Sequence, residues 1–417
     1  MKAWKKIGSI CMGEGATCVR LVARLVAAMV FVSGPALAQL PVIPSDVKGA
    51  VQKVIDYGYC RAMVIGLLNT SGAAYHVYGR LAYDDDRVPD EDTLFEIGSI
   101  TKVFTTTLLS DMAARGEVGL TNSVQQYLPA DVRLPARSGK EITLTHLATH
   151  TSGLPRMPTN FDPADWTNPY ADYTVERIYA FLNSYTLPRN PGQLYEYSNF
   201  GLGLLGHVLE RITGRDYESL VIAGIANELG LNDTRINLSA EQRARLAHGY
   251  SGVVELPNWD LGSMAAAGAL KSSARDVLRF LAANRGWVSN RLSTVMADCQ
   301  KQRVTTPTPG LSVGLGWHLL SLSAGTAVFH DGATGGYRAF AGFLRNGKTA
   351  VVVLAIEKNG NQVSLTLQGD TGLDYVIEVS PDMRDWSPLS TNTIWNNVIL
   401  DSAAPAAAKR FYRAVAR

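Results

Sequence analysis

Ser99 and Lys102, in the stretch FEIGSITKVF (residues 95–104), form a Ser-x-x-Lys pair where a helical pattern begins. One helical turn brings both side chains to the same face. A serine hydroxyl is a weak nucleophile and needs an adjacent base. A lysine serves as that base only if burial or nearby charge lowers its pKa, and Phe95, Ile100, Val103 and Phe104 supply apolar surroundings. The helix N-terminus adds partial positive charge that favours an oxyanion forming beside Ser99. The chemistry implied is acyl transfer through a serine ester.

Two other serines compete for the role. Ser45 and Lys48 repeat the Ser-x-x-Lys spacing, but in a polar stretch near the N-terminus. Ser312 lies in GLSVG (310–314), which fits the Gly-x-Ser-x-Gly elbow, a strained turn between a strand and a helix. Ser312 follows TTPTPGL and precedes VGLGWHLL, which reads as a strand rather than a helix. An acid and then a histidine should also follow an elbow serine. His330 is the last histidine, and Asp331 comes after it. In a chain with 38 glycines such a pattern arises easily, and Ser312 is read as a bystander.

Ser99 gains weight from two downstream motifs. Tyr197-Ser198-Asn199 and His330-Asp331-Gly332 follow it in order, and Tyr-x-Asn and His-x-Gly each occur once in the chain. With these three motifs the chain resembles the serine β-lactamase and penicillin-binding superfamily. The similar branch holds class C β-lactamases, D-Ala-D-Ala carboxypeptidases and family VIII carboxylesterases. LATHTSGLP (147–155), ELGLNDT (228–234), AAAGALKSSARDVLRF (265–280) and GLGW (314–317) extend the resemblance over about residues 45–358.

The resemblance implies an α/β sandwich, with an antiparallel sheet flanked by helices and a helical subdomain. It implies Ser99 as the acylated nucleophile and Lys102 as its proton acceptor. Tyr197 is implied as partner base, or as the acid that protonates the leaving group. Asn199 would orient the lysine and hydrogen-bond the acyl amide of the substrate. Ala333 would join Ser99 in offering a backbone N–H to the oxyanion. Gly332, with Gly335 and Gly336, would let backbone and substrate approach closely.

His330 stands where class C β-lactamases carry the lysine of Lys-Thr-Gly. A protonated His330 would attract a substrate carboxylate, and an unperturbed histidine titrates near pH ~6.5. Asp331 replaces the hydroxyl residue of that motif. Ionised, it would repel a carboxylate and hold the histidine's proton to higher pH, unless strand alternation turns it to the other face. The substrates implied are β-lactams or D-Ala-D-Ala peptides, with short acyl esters as the alternative. A catalytically silent penicillin-recognising protein is a third reading. His146 and His150 stand at i, i+4 like a zinc pair, but no Glu follows His146 and no third ligand is in sight. No metal and no cofactor are expected.

The elements that must position these residues are legible in outline. AMVIGLLN (62–69) and AAYHVYGRL (73–81) read as a strand pair split by Thr-Ser-Gly. Phe104, Leu108 and Met112 recur at i, i+4, i+8, so Ser99–Arg115 reads as a mostly buried helix stopped by Gly116. Leu202, Leu205, Leu209 and Ile212 mark a second helix that ends at Gly214. FAGFL (340–344) and TAVVVLAI (349–356) read as two strands. Beyond Gly360, alternating segments such as SLTL, YVIEV and RFYRAV suggest a small β module, where enzymes of the branch usually end in a helix packed on the sheet. The domains are read as 1–38, 45–360 and 361–417.

The first of these is a leader. Five Lys/Arg precede LVAAMVFV (25–32), and Ala36-Leu37-Ala38 offers a small-x-small cleavage site before Gln39. Eight uninterrupted apolar residues are too few to span roughly 30 Å of hydrocarbon. A periplasmic or secreted protein without a transmembrane anchor is therefore expected. Loss of residues 1–38 moves the formal charge from +2 to −2, and nothing in that balance points to nucleic acid. The partner expected is a small-molecule or peptidoglycan-derived substrate. Cys60 and Cys299 remain, either as one disulfide or as two isolated thiols.

Overall fold

Apolar runs of strand length build the sheet that carries the site. In the computed structural model, residues 39–56, 59–82, 85–357, 363–366, 374–380, 384–393, 398–401 and 411–416 are described. The leader lies outside these residues. The first strand pair is β1 (Cys60–Asn69) with β2 (Gly72–Gly79), in register from Ala62↔Gly79 to Asn69↔Gly72. The short strands β3 (Leu94–Glu96) and β4 (Lys271–Ser273) pair with each other. The rest of the large sheet comes late: β5 (Val304–Thr305), β6 (Leu311–Val313), β7 (His318–Leu322), β8 (Gly325–Thr334), β9 (Tyr337–Leu344) and β10 (Ala350–Glu357). Its order is β2-β1-β10-β9-β8-β7-β6-β5, antiparallel throughout. Every residue of β10 is buried, because both faces of the sheet are covered.

Helix α1 (Ser45–Asp56) covers one face. Val47, Val51 and Val54 point inward and join a core with Met63, Ile65, Leu67, Val351, Val353 and Phe340. The other face carries the larger core, under α2 (Thr101–Ala114), α3 (Leu144–Ala148), α4 (Asn199–Thr213), α5 (Ala274–Asn284) and α6 (Ser293–Cys299). Phe104 of α2 stacks on Phe280 of α5 with ring centroids 4.0 Å apart.

Helix α2 is buried from Thr101 to Met112, which is why its sequence lacks a polar stripe. Its hydroxyls are satisfied internally: Thr105 donates to the Ala266 carbonyl at 2.8 Å and Thr106 to that of Leu315 at 3.0 Å. The helix ends at Arg115, and Gly116 takes φ +77°. Helix α4 ends likewise on Gly214, at φ +68°.

The segments after Gly360 pair as strands. β11 (Val363–Thr366) lies beside β14 (Val398–Asp401), and β12 (Asp374–Ser380) lies between β13 (Ser387–Thr393) and β15 (Phe411–Ala416). No helix follows β10 among the described residues, yet Val353 and Phe340 on the α1 face are only 2% and 8% exposed. Cys299 is a free thiol in the larger core, and Cys60 belongs to the core under α1, so the two are not bonded to each other. Ser312 sits within β6, paired with Leu319, and its hydroxyl donates to the Leu319 carbonyl at 3.3 Å. It occupies a strand, not an elbow.

Candidate active site

Ser99 lies in a single 3-10 turn (Gly98–Ile100) that leads into α2. Two glycines bring strand β8 against this turn. A Cβ on Gly98, which holds φ +49°, would lie 2.7 Å from the Ala333 nitrogen. A Cβ on Gly332 would lie 2.0 Å from the Ile97 carbonyl oxygen and 3.0 Å from the Ser99 nitrogen. Only glycine permits that approach from either side. The contact places the Ser99 and Ala333 backbone nitrogens at the same corner of the site, where a developing oxyanion could receive two hydrogen bonds.

Lys102 follows one turn later and is fully buried. Its Nζ is 2.8 Å from Ser99 Oγ and 2.6 Å from the carbonyl oxygen of Ala267. Burial pushes the amine well below its usual pKa, Arg156 lowers it further, and Asp331 opposes the shift. A neutral amine beside a serine hydroxyl can take its proton.

Tyr197 precedes α4 in the segment that carries the helix cap. Ser198 accepts the Gly201 N–H as N-cap, and its own N–H donates to His150 Nδ1 at 3.0 Å. The His150 ring stacks on Tyr197 with centroids 4.4 Å apart. Lys102 Nζ lies 5.0 Å from the centre of the Tyr197 ring, and the Arg156 guanidinium lies 5.2 Å from it. Burial raises the phenol pKa, with Ser99 hydrogen bonding as the opposing influence and Asp331 reinforcing the rise. Tyr197 therefore keeps its proton. A protonated phenol is suited to act as an acid.

Three expectations change. Asn199 opens α4, but its amide donates to the Tyr170 hydroxyl at 3.5 Å rather than meeting the lysine, whose partners are Ser99 and Ala267. Its Oδ1 is buried without a partner, which suits the other expected role, acceptance of a substrate N–H. His330 is 1% exposed, and burial, then His318 and Lys102, pushes it well below the usual histidine pKa. It is neutral at ordinary pH and offers a substrate carboxylate no charge. The influence of Asp331 that opposes this fall comes from its backbone carbonyl, while burial pushes the Asp331 carboxyl itself up to about 6.

Arg156 and His318 carry no mark in the sequence, and His150 enters there only as half of a zinc-like spacing. Arg156 is exposed above Tyr197. His318, on β7, pairs with the Tyr195 hydroxyl through Nε2 at 3.1 Å. His150 holds a left-handed φ of +57° and its ring braces Tyr197. No local spacing links these residues to Ser99; they meet because β7, β8 and the loop before α4 converge. His146 has a separate structural task, accepting the Thr143 N–H in a capping box at the start of α3.

The sequence profile described as Beta-lactamase matches residues 51–366. A beta-lactamase of Pseudomonas fluorescens is 26% identical over 344 residues, which span 74% of this chain and 92% of that protein. The D-alanyl-D-alanine-carboxypeptidase/endopeptidase AmpH of Escherichia coli (strain K12) is 26% identical over 320 residues, spanning 73% of this chain and 82% of that protein. The solved structure of a class C beta lactamase from Rhodobacter sphaeroides superposes with a TM-score of 0.66 at 25% identity, covering 75% of this chain and 93% of that one.

Proposed function

The chain belongs to the beta-lactamase family and is a serine hydrolase, and from that premise we propose that it cleaves β-lactam or D-Ala-D-Ala amide bonds through an acyl-Ser99 intermediate. The observation that carries the assignment is the fully buried Lys102 amine 2.8 Å from Ser99 Oγ. In the first half-reaction Ser99 Oγ attacks the carbonyl carbon as its proton passes to Lys102 Nζ. The carbonyl oxygen takes up negative charge facing the Ser99 and Ala333 N–H groups. The C–N bond then breaks, and the Tyr197 phenol protonates the departing nitrogen. Lys102, whose Nζ lies 5.0 Å from the centre of the Tyr197 ring, can return its proton to the phenolate. Water repeats the sequence in the second half-reaction, releasing the acid and restoring Ser99. Asn199 Oδ1 would accept the acyl amide N–H, and Gly332 would let the substrate lie along β8.

The neutral His330 and the carboxylate of Asp331 favour a second reading, hydrolysis of uncharged short acyl esters. Arg156 argues for the first, since it is a cation at the mouth that could meet a substrate carboxylate. The silent reading has least support, because a buried amine and a phenol both stand beside the Ser99 hydroxyl. A fluorescent penicillin separates the two active readings. Labelling of Ser99, transient for a β-lactamase and persistent for a peptidase, supports the amide reading. Absence of labelling with p-nitrophenyl butyrate turnover supports the ester reading and overturns the first.

We also propose export, with cleavage after Ala38, and a separate β unit from residue 361 onward. No helix among the described residues is long and apolar enough to cross a membrane. N-terminal sequencing of the protein recovered outside the cytoplasm should begin at Gln39.

A further inference from the structure

The sequence offered His146 and His150 as a helix-spaced metal pair, but the imidazoles that meet are others. β7 opens with His318, and β8 carries His330 and Asp331. One ligand atom from each of these three residues lies within 4.8 Å of the others. The two rings have centroids 5.0 Å apart.

Each imidazole has one nitrogen engaged and one left over. His330 Nδ1 is 2.6 Å from the Asp331 carbonyl oxygen, so this nitrogen carries the proton and donates, leaving Nε2 with its lone pair. His318 Nε2 is 3.1 Å from the Tyr195 hydroxyl. His330 Nε2 and His318 Nδ1 are both buried without any hydrogen-bond partner, in rings only 1% and 9% exposed. A buried polar atom without a partner costs on the order of 1–3 kcal/mol, so two of them beside a carboxylate call for an occupant.

We propose that His318, His330 and Asp331 form a binding site for a first-row divalent cation of the zinc type, beside the serine site. Two imidazoles and one carboxylate are a known zinc donor set, with a fourth position left for water. Ligands on zinc at about 2.0–2.1 Å sit roughly 3.3 Å apart in a tetrahedron, so the three groups close by about 1.5 Å at most on binding. The outer hydrogen bonds are already of the kind that fixes metal-bound imidazoles: a backbone carbonyl on His330 and a tyrosine hydroxyl on His318. Of the nearby cations, Arg156 is exposed and Arg338 is paired with Glu357.

The proposal is independent of the acyl-serine reading, because its test reads metal and not turnover. The tag-free full chain, freed of metal by chelator and dialysis, is titrated with Zn²⁺ alone by calorimetry. It is also titrated with Co²⁺ and followed by visible absorption. The expected result is one ion per chain and the intense visible bands of four-coordinate cobalt. Asp331→Asn and His318→Gln should each abolish the cobalt bands, and Tyr195→Phe should weaken Zn²⁺ binding by about 10- to 100-fold. Circular dichroism of the metal-free variants checks that they fold. Absence of stoichiometric Zn²⁺ binding and of four-coordinate bands in the unmutated chain overturns the proposal whatever the variants do. So does binding that survives in both Asp331→Asn and His318→Gln, since the ion then sits elsewhere.

Discussion

Replacing Lys102 by arginine tests the central chemical claim. The amine is fully buried, 2.8 Å from Ser99 Oγ, and burial together with Arg156 holds its pKa well below the usual lysine value. A guanidinium stays protonated at any usable pH and cannot accept the Ser99 proton. A positioned general base contributes typically 10²- to 10⁴-fold, or about 3–5 kcal/mol of barrier. Lys102→Arg should therefore slow acylation by that factor, measured in single turnover with a fluorescent penicillin and with p-nitrophenyl butyrate. Lys102→Met, of similar length without charge, should be as slow yet remain folded by circular dichroism. The unmutated enzyme should show an acid limb, with acylation rising as pH increases through the lowered lysine pKa and then levelling far below 10.5. An arginine variant within tenfold of the parent, or an acid limb that runs on to pH 10, would refute the neutral-lysine mechanism.

Four further outcomes are expected. Ser99→Ala should lose both activities while Ser312→Ala keeps them, since Ser312 only bonds the Leu319 carbonyl within the sheet; mass spectrometry of the penicillin adduct should place it on Ser99. Tyr197→Phe should slow penicillin cleavage by about 10²- to 10⁴-fold. It should largely spare a p-nitrophenyl ester, whose leaving group needs no proton, and equal losses on both would remove Tyr197 as the acid. Gly332→Ala forces a Cβ to within 2.0 Å of the Ile97 carbonyl, so the turn must shift. It should cost about 10²–10³ in kcat, as loss of an oxyanion donor does, and unchanged kcat would show the hole lies elsewhere. Arg156→Gln removes an exposed cation worth about 1 kcal/mol or less, so KM for a penicillin should rise at most about fivefold with the neutral ester unaffected. The same change removes one influence that lowers the Lys102 pKa, so the acid limb should move to higher pH; a limb that stays fixed would separate Arg156 from the lysine.

What the sequence made legible was what neighbouring residues can encode. The Ser99–Lys102 spacing fits within one helical turn, and the glycine stops at Gly116 and Gly214 end their helices where the periodicity does. The alternating and apolar runs became strands, and the pair read at 62–69 and 73–81 is β1 with β2. What escaped was set by the approach of elements distant in the chain. His318 and Tyr195 are 123 positions apart and meet only because β7 lies beside β8 at the end of the loop before α4. Asn199 was assigned to the lysine from its motif. Yet the carbonyl that binds Lys102 comes from Ala267, and no side-chain pattern could mark a backbone oxygen. The neutrality of His330 is hidden from the sequence for a related reason: the ordinary titration of histidine assumes water, and this residue is 1% exposed.

Burial at the junction of α2, β8 and the loop before α4 shifts five titrating groups toward their neutral forms. The lysine falls, the tyrosine rises, His318 and His330 fall, and Asp331 rises. In the proposed mechanism a neutral Lys102 is the base and a neutral Tyr197 the acid, so the same desolvation would suit two groups beside one serine to opposite roles. The charged neighbours refine this in opposing directions: Arg156 lowers the lysine and Asp331 raises it. Substitutions that admit water to the site should therefore impair acid and base together, even where they touch neither side chain. Gly98 and Gly332 are the positions where that coupling is most exposed. Through them strand β8 closes against the nucleophile turn, and the packing that excludes water is the same packing that brings the Ser99 and Ala333 nitrogens together.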